Sequence, residues 1–306
     1  MGVLQKVFLL FAMASTALVG AEGKHFVIAF AQDNMANDFR KAQVMQAKER
    51  AAKYPNVSFV YGDAKAKTSL LIRQIERFSA EGVDALIVGT NHPDLVVPAI
   101  EHAYAKGIAV LILDRKVNTS KYSAYISSDN REIGRMAARY LEQKVAKNAT
   151  ILMLQGLKNN DVALAREEGF MEVIQKHPRI KVLKRRGNYL RKDAIRVMEA
   201  LHKEEGVRYD AIYSHSDSML SGVRTFYAKE GLDIASIPTV GVDYTSEAQR
   251  AIREGKQSAS IRFSLAGGEA VDTLMKILEK KTVPKQIELP VHLITKENIG
   301  TFTPIF

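Results

Sequence analysis

Short apolar runs alternate with amphipathic segments along most of this chain. In one of them, residues 108–113 are continuously aliphatic, follow Gly107 and end at Asp114 and Arg115. Such a run is typical of a strand buried on both faces of a sheet. Ligands of open parallel α/β sheets bind beyond the carboxyl ends of the strands, so this charged pair is a candidate ligand contact. The same two residues are explained equally well as a salt bridge at the start of a loop, with no ligand involved.

The first half of the chain predicts a doubly wound parallel sheet. Apolar runs predict strands at 26–30, 57–61, 85–88, 108–113 and 122–126. Between them, helical spacing predicts helices at 39–54, 68–80 and 93–106. A regular alternation of strands and helices favours a parallel sheet covered by helices on both faces.

The pattern starts afresh after residue 129 and predicts a second, similar α/β lobe. Helices are expected at 130–145, 162–176, 192–204 and 218–230, and strands at 149–154, 180–184, 211–214 and 240–242. The remaining strand 258–263, helix 267–279 and strand 287–294 are too few for a third domain. We therefore expect a three-segment hinge, with crossings near 128, 262–264 and 289–291. The lobes would comprise 22–128 plus 263–289 and 129–262 plus 290–306.

The first 21 residues predict an export leader. Lys6 precedes an apolar stretch, and the small residues Gly20 and Ala21 form a cleavage site, which is the pattern of a signal peptide. We expect cleavage after Ala21 and a periplasmic location. The stretch is shorter than the roughly 20 apolar residues of a membrane span.

Composition narrows the function classes. The 306 residues include no Cys, which excludes disulfides, cysteine-linked lipid anchors and Cys-ligated metals. The histidines have no metal-ligand spacing, and we expect neither metal nor cofactor. The formal net charge is +10, but no dense basic run with interleaved aromatic residues indicates nucleic-acid binding. A generally basic surface is the simpler interpretation.

Several short motifs, in order and spacing, resemble those of type I periplasmic sugar-binding proteins, with a layout close to the ribose- and galactofuranose-binding types. The resemblance covers residues 26–294. Its motifs are Asn37-Asp-Phe-Arg40, Leu113-Asp-Arg115, Ser128-Asp-Asn130, Gln155-Gly156, Arg166-Glu-Glu-Gly-Phe170, Ser216-Asp217 and Gly241-Val-Asp243.

The resemblance implies a ligand held between the lobes. Phe39 and Tyr189 would stack on a sugar ring. The polar contacts implied are Asn37, Arg40, Asp114 and Arg115 from the first lobe and Arg166, Ser216 and Asp243 from the second, with Arg262 as a further candidate. Three features depart from the ribose-type pattern: Ser216 replaces an Asn, Arg40 replaces a second aromatic residue as in the galactofuranose type, and the segment 262–267 is short.

Each candidate also has a structural interpretation. Phe39 and Tyr189 fit core or surface aromatic residues, and Arg166 fits an ion pair with a neighbouring glutamate. For Asp217 we favour a helix N-cap, because Ser218 and an apolar turn follow it. His215 lies beside the predicted site, where a hydrogen-bonding role is commoner than a catalytic one.

Four functions compete at this stage. The first is a monomeric binding protein that captures a monosaccharide for an ABC importer; the candidates are pentoses and hexoses, including their furanose forms. The same lobes also fit a protein that presents a sugar or small anion to a membrane receptor kinase. A glycosidase is disfavoured, because no catalytic motif accompanies the carboxylates. A transcription regulator would need a DNA-binding motif where the export leader stands.

Overall fold

A computed structural model of the chain describes residues 24–306. The predicted leader and its cleavage site lie outside the described residues. None of the helices in this range combines the length and apolar character needed to cross a bilayer.

The first sheet has six parallel strands in the order β11-β5-β4-β3-β1-β2. Its strands are β1 Phe26–Gln32, β2 Val57–Asp63, β3 Ala85–Gly89, β4 Ala109–Leu113, β5 Ala124–Ser128 and β11 Gln286–Leu289. The helices of this lobe are α1 Asp38–Ala51, α2 Thr68–Ala80, α3 Val97–Ala105 and α9 Gly267–Leu278. Both faces of the sheet are covered, so that Leu111 and Leu113 belong to one apolar cluster and Val110 and Ile112 to another.

The second sheet has the order β12-β10-β9-β8-β6-β7. Its strands are β6 Thr150–Gln155, β7 Lys181–Arg186, β8 Ala211–Ser214, β9 Thr239–Asp243, β10 Ala259–Arg262 and β12 His292–Thr295. The helices are α4 Asn130–Glu142, α5 Asp161–Ile174, α6 Arg191–Lys203, α7 Asp217–Lys229 and α8 Ser246–Arg253. All pairings are parallel except that of β12 with β10.

These two sheets confirm the predicted α/β fold with a three-segment connection. The chain passes from one sheet to the other after β5, after β10 and after β11. The single strand expected at 287–294 is instead two strands, one in each sheet. Pro290 lies between them and cannot donate a backbone hydrogen bond to a ladder, which explains the interruption.

Candidate ligand-binding site

A small cavity lies where the carboxyl ends of both sheets face each other. We call it the inner cavity. It is lined by Asn37, Phe39, Arg40, Asp114 and Arg115 from the first lobe and by Val162, Arg166, Tyr189, Ser216, Asp243 and Phe263 from the second lobe and the crossing after β10.

An ion pair forms the first-lobe wall of the inner cavity. Nη2 of Arg40 lies 2.8 Å from Oδ2 of Asp114, and both side chains are almost fully buried. Nη1 of Arg40 also donates to the side-chain oxygen of Gln43. Asp114 directly follows β4 and has a left-handed backbone, with φ of 68°. That conformation is uncommon outside glycine and is found most often where function requires it.

Arg115 is buried beside this pair but makes only long contacts. Its Nη1 lies 3.8 Å from Oδ2 of Asp33, and its Nε lies 3.9 Å from Oδ2 of Asp114. Neither nitrogen has a hydrogen-bond partner among the described residues. The guanidinium lies 6.0 Å from the centre of the Tyr189 ring in the second lobe. Arg115 therefore retains donors for a ligand.

Asp33 is a third acidic group that the sequence analysis missed. It follows the carboxyl end of β1 and is 5% exposed, and neither carboxylate oxygen has a hydrogen-bond partner among the described residues. Burial raises the pKa of Asp33, and the charges of Arg40 and Arg115 oppose that rise. The signal that pointed to Asp114, a charge at the end of an apolar strand, applies to Asp33 as well.

Helix α5 places Arg166 at the second-lobe wall. Nε of Arg166 donates to Oδ1 of Asn130 at 3.0 Å, and Nη1 donates to the carbonyl oxygen of His215 at 2.5 Å. The guanidinium lies 5.2 Å from the centre of the Phe263 ring. The neighbouring Glu167 and Glu168 bond to other residues, so the ion pair considered from the sequence is not formed.

Two glycines allow helices α4 and α5 to cross closely enough for this arrangement. A Cβ atom at Gly134 would collide with the carbonyl oxygen of Arg166, and one at Gly169 would collide with that of Arg131. The backbone of Arg166 is part of this crossing. The position of the Arg166 guanidinium relative to the inner cavity therefore depends on Gly134.

Asp243 ends β9 and faces the inner cavity. It is buried, and its φ of 115° is strained for a residue with a side chain. Burial raises the pKa of Asp243 well above its usual range, and Arg166 opposes that rise. A buried carboxylate of this kind gains stability from a ligand that donates hydrogen bonds to it.

The helix cap expected at Asp217 is a different residue. Ser216 is the N-cap of α7, and its hydroxyl accepts a hydrogen bond from the backbone N–H of Met219. Asp217 turns into the core, where it accepts hydrogen bonds from Ser260 and Gln257. The capping preference does not distinguish adjacent Ser and Asp, since both are good caps.

Aromatic rings form two sides of the inner cavity. Tyr189 and the preceding Asn188 both have left-handed backbones, with φ of 61° and 56°. This turn lays the ring of Tyr189 against Gly156, where a Cβ atom would overlap the ring. Phe39 stacks on Phe263, with 5.0 Å between ring centres.

Arg262 does not line the inner cavity. Its Nε donates to the carbonyl oxygen of Thr303, and its guanidinium lies over the ring of Phe302. Side chains alternate along β10, so Ile261 and Phe263 share the core face and Arg262 points the other way. Phe263, at the next position, lines the inner cavity in place of Arg262.

His215 is fully buried next to Arg166. Its Nδ1 accepts a hydrogen bond from the backbone N–H of Gly156 at 3.4 Å, and its ring lies 5.0 Å from that of Tyr213. Burial, together with the charge of Arg166, lowers the pKa of His215 well below its usual range. A neutral histidine in this position supports the wall of the site.

Three polar contacts join the lobes around the inner cavity. Nδ2 of Asn37 donates to the carbonyl oxygen of Tyr189 at 3.3 Å. The backbone N–H of Lys116 donates to Asp161 at 3.0 Å, and the hydroxyl of Ser218 donates to Asp38 at 3.4 Å. The cleft is therefore closed in this structure. Within residues 24–306, no cluster of three or more His, Asp or Glu side chains is arranged to hold a metal ion.

Two facing α/β lobes with a polar cavity between them define a class of two-lobed ligand-binding proteins. The chain belongs to the family described as periplasmic binding protein domain, whose sequence model matches residues 28–282.

Individual relatives agree with this family. The ribose import binding protein of Bacillus subtilis is 27% identical, over 90% of this chain and 88% of that protein. A second relative is the binding protein of the arabinose ABC transporter of Shewanella sp. ANA-3, whose structure was solved with bound L-arabinofuranose. It is 28% identical, and the two structures match with a TM-score of 0.84 over 90% of this chain and 93% of that protein. The fructose-binding periplasmic domain of a hybrid two-component system is 29% identical with a TM-score of 0.83 and the same coverage.

Proposed function

We propose that the protein captures a neutral monosaccharide in the inner cavity and delivers it to an ABC importer. The observation that carries the proposal is the lining of the inner cavity, where guanidinium groups and carboxylates converge with a tyrosine ring. Vicinal hydroxyls suit these charged groups, and the CH face of a sugar ring packs on an aromatic ring. The ligand we propose is a pentose or hexose, in particular in furanose form.

The charges of the site support a neutral ligand. Arg40, Arg115 and Arg166 are the guanidinium groups, and Asp114 and Asp243 are two of the carboxylates. Asp33 adds a third carboxylate, 3.8 Å from Arg115, so the formal charges balance. An anionic ligand would leave a buried negative charge in excess, which is costly unless it is paired.

We assign the ligand contacts to the residues that line the inner cavity. Tyr189 and Phe39 provide the aromatic surface, and hydrogen bonds to the hydroxyls come from the polar residues Asn37, Arg40, Asp114, Arg115, Arg166, Ser216 and Asp243. All of these groups except the half-buried Asn37 are buried, which supports the assignment, because polar groups in a closed site need hydrogen-bond partners and a ligand can supply them.

The relatives support the class of ligand and the route of delivery. Two of them are named as components of ribose and arabinose import systems. The third is a fructose-binding domain of a two-component system, which favours a second candidate function, presentation of the bound sugar to a membrane sensor. In both functions the protein binds its ligand as a monomer without transforming it.

We place this activity in the periplasm, with a leader removed after Ala21. We further propose that residues 22–128 plus 263–289 move as one lobe and 129–262 plus 290–306 as the other. Amino-terminal sequencing of the periplasmic protein should begin at Glu22. Recovery of an unprocessed cytoplasmic chain would contradict both delivery routes.

The function is tested by mass spectrometry of the small molecule retained after native purification. We expect a neutral pentose or hexose, either free or as one ring of a larger sugar, recovered unchanged. Retention of an anionic or non-sugar compound would contradict the proposal, and a cleaved glycoside would indicate an enzyme. Co-purification with detergent-solubilised membranes then separates the two partners, since an importer and a sensor kinase differ in their subunits.

A further inference from the structure

A second cavity adjoins the inner cavity at the mouth of the cleft. We call it the outer cavity; it is larger than the inner cavity and is open to solvent on one side. Four residues line both cavities: Asn37, Arg40, Arg115 and Tyr189. The two cavities therefore adjoin along these four residues.

We propose that the outer cavity is a second sugar subsite, and that the preferred ligand is a disaccharide or glycoside with one ring in each cavity. This inference rests on the proposed function, because it presumes a sugar in the inner cavity. It changes the class of ligand from a single ring to a linked pair.

Buried polar groups without partners support the subsite. Asp33 lines the outer cavity only and is 5% exposed, and both of its carboxylate oxygens lack a hydrogen-bond partner among the described residues. Oδ1 of Asn91 is likewise buried and unpartnered within residues 24–306. Buried acceptors without donors destabilise a closed cleft unless a ligand supplies the donors.

The donors of Arg115 complete the polar set. Its Nε and Nη1 are buried and unpartnered within the described chain, at the boundary of the two cavities. This is where a glycosidic linkage between two rings would pass, with an oxygen able to accept from the guanidinium. A ligand confined to the inner cavity would leave the Nη1 donor of Arg115, which faces Asp33, without a hydrogen-bond partner.

Amide side chains make a further part of the outer cavity suited to hydroxyl groups. Asn34 accepts a hydrogen bond from the backbone N–H of Ala36 through Oδ1, and Asn188 donates one to Asp193 through Nδ2. Each thereby uses one amide atom locally. A hydroxyl both donates and accepts, so it can bond to the other amide atom of either residue.

The test compares each monosaccharide with a disaccharide that contains it, by calorimetric titration of the purified full-length mature protein. The pairs are galactose with galactobiose, arabinose with arabinobiose, and fructose with sucrose. We expect at least one disaccharide to bind about tenfold tighter than its monosaccharide, which corresponds to one or two additional hydrogen bonds.

The variant Asn91→Ala isolates the subsite, because Asn91 lines the outer cavity alone. It should weaken binding of that disaccharide by about fivefold to tenfold and leave the monosaccharide affinity within about twofold. Asn148→Ala, at an exposed position outside both cavities, is the matched control and should change neither.

The outcomes separate the two proposals. Monosaccharides that bind while no disaccharide binds more tightly would overturn the subsite and leave the proposed function intact. Equal weakening of both ligands by Asn91→Ala would also overturn it, since Asn91 would then serve the fold. If no sugar of either kind binds, the proposed function fails and the subsite with it. The comparison of disaccharides with monosaccharides uses the unmodified protein. It therefore tests the subsite even if Asn91→Ala does not fold.

Discussion

Asp114 is the residue on which the charges of the inner cavity depend. It lies 2.8 Å from Arg40 and 3.9 Å from Arg115, and all three are buried. Removing one partner of a buried charge pair leaves the other charge without compensation. The effects of such a change should therefore reach both ligand binding and folding.

We predict that Asp114→Asn weakens sugar binding by about 30-fold or more, because a lost buried charge partner costs about 2–5 kcal/mol at a binding site. The ligand-free protein should lose about 3 kcal/mol of unfolding free energy. Calorimetry and chemical denaturation measure the two effects. Asp94→Asn, at an exposed position, is the control. Full affinity in Asp114→Asn would remove this residue from the site.

The raised pKa of Asp243 predicts a pH-dependent stability. Because the folded protein holds this proton more tightly than the unfolded chain, the stabilisation is complete below the unfolded pKa of about 3.9 and is lost as pH rises through the folded pKa. Asp243→Asn should therefore raise the melting temperature of the ligand-free protein at pH 7, flatten its decline above pH 4 and weaken sugar binding. An unchanged pH profile, with Asp94→Asn as the reference, would show that Asp243 does not titrate in this way.

Most of the site could be predicted at the residue scale because strand ends carry a clear signal. The apolar runs that end at Asp114 and Asp243 mark the edge of each sheet that faces the inner cavity. Arg262 was assigned by position in the chain, but the alternation of side chains along β10 turns Phe263 inward instead. Asp33 was missed although it carries the same strand-end signal, so its burial became evident only from the structure.

At the scale of elements, the crossing of α4 and α5 controls the site from a distance. Gly134 lies against the carbonyl oxygen of Arg166 and does not contact the inner cavity. A side chain there must push the helices apart. The guanidinium of Arg166 would then lose its alignment with Asn130 and His215.

We predict that Gly134→Ala lowers the unfolding free energy by about 1–3 kcal/mol, as overpacking does, and weakens sugar binding as well. Gly268→Ala is the matched control, since Gly268 is also helical and an added Cβ would make only ordinary contacts at 3.8 Å. Denaturation and calorimetric titration of both variants test this. Equal behaviour of the two variants would contradict the role assigned to the crossing.

Some elements could not be predicted from periodicity. Helix α8, Ser246–Arg253, buries only Ala248, Ala251 and Ile252, so the sequence shows too few large apolar residues to mark it. Its start depends on a local contact, the hydroxyl of Thr245 accepting from the backbone N–H of Ala248. Apolar residues continue on both sides of Pro290, so the sequence predicts a single strand there. In the structure the two halves join different sheets.

At the scale of the whole molecule, closure depends on contacts outside the inner cavity. Asp161 accepts a hydrogen bond from the backbone N–H of Lys116 across the cleft. The contact exists only when the lobes are together, so it contributes to affinity by favouring the closed state. Asp161 does not line the inner cavity.

We predict that Asp161→Ala weakens binding of every sugar by a common factor of up to about tenfold, the equivalent of one hydrogen bond. Small-angle scattering should show a decrease in radius when sugar is added to the unmodified protein, and the variant should reach the same radius at saturation. Loss of affinity for only some sugars would indicate a direct ligand contact. A radius unchanged by bound sugar would contradict hinge closure.

The most direct test of the account is the charge of the ligand. Calorimetric titrations at low and high salt should compare neutral pentoses and hexoses, with their disaccharides, against uronic acids and sugar phosphates. We predict that neutral sugars bind and that their affinity changes by less than about twofold with salt, since no net ligand charge is screened. Binding restricted to the anionic compounds, with affinity falling steeply as salt is added, would contradict the proposed neutral ligand.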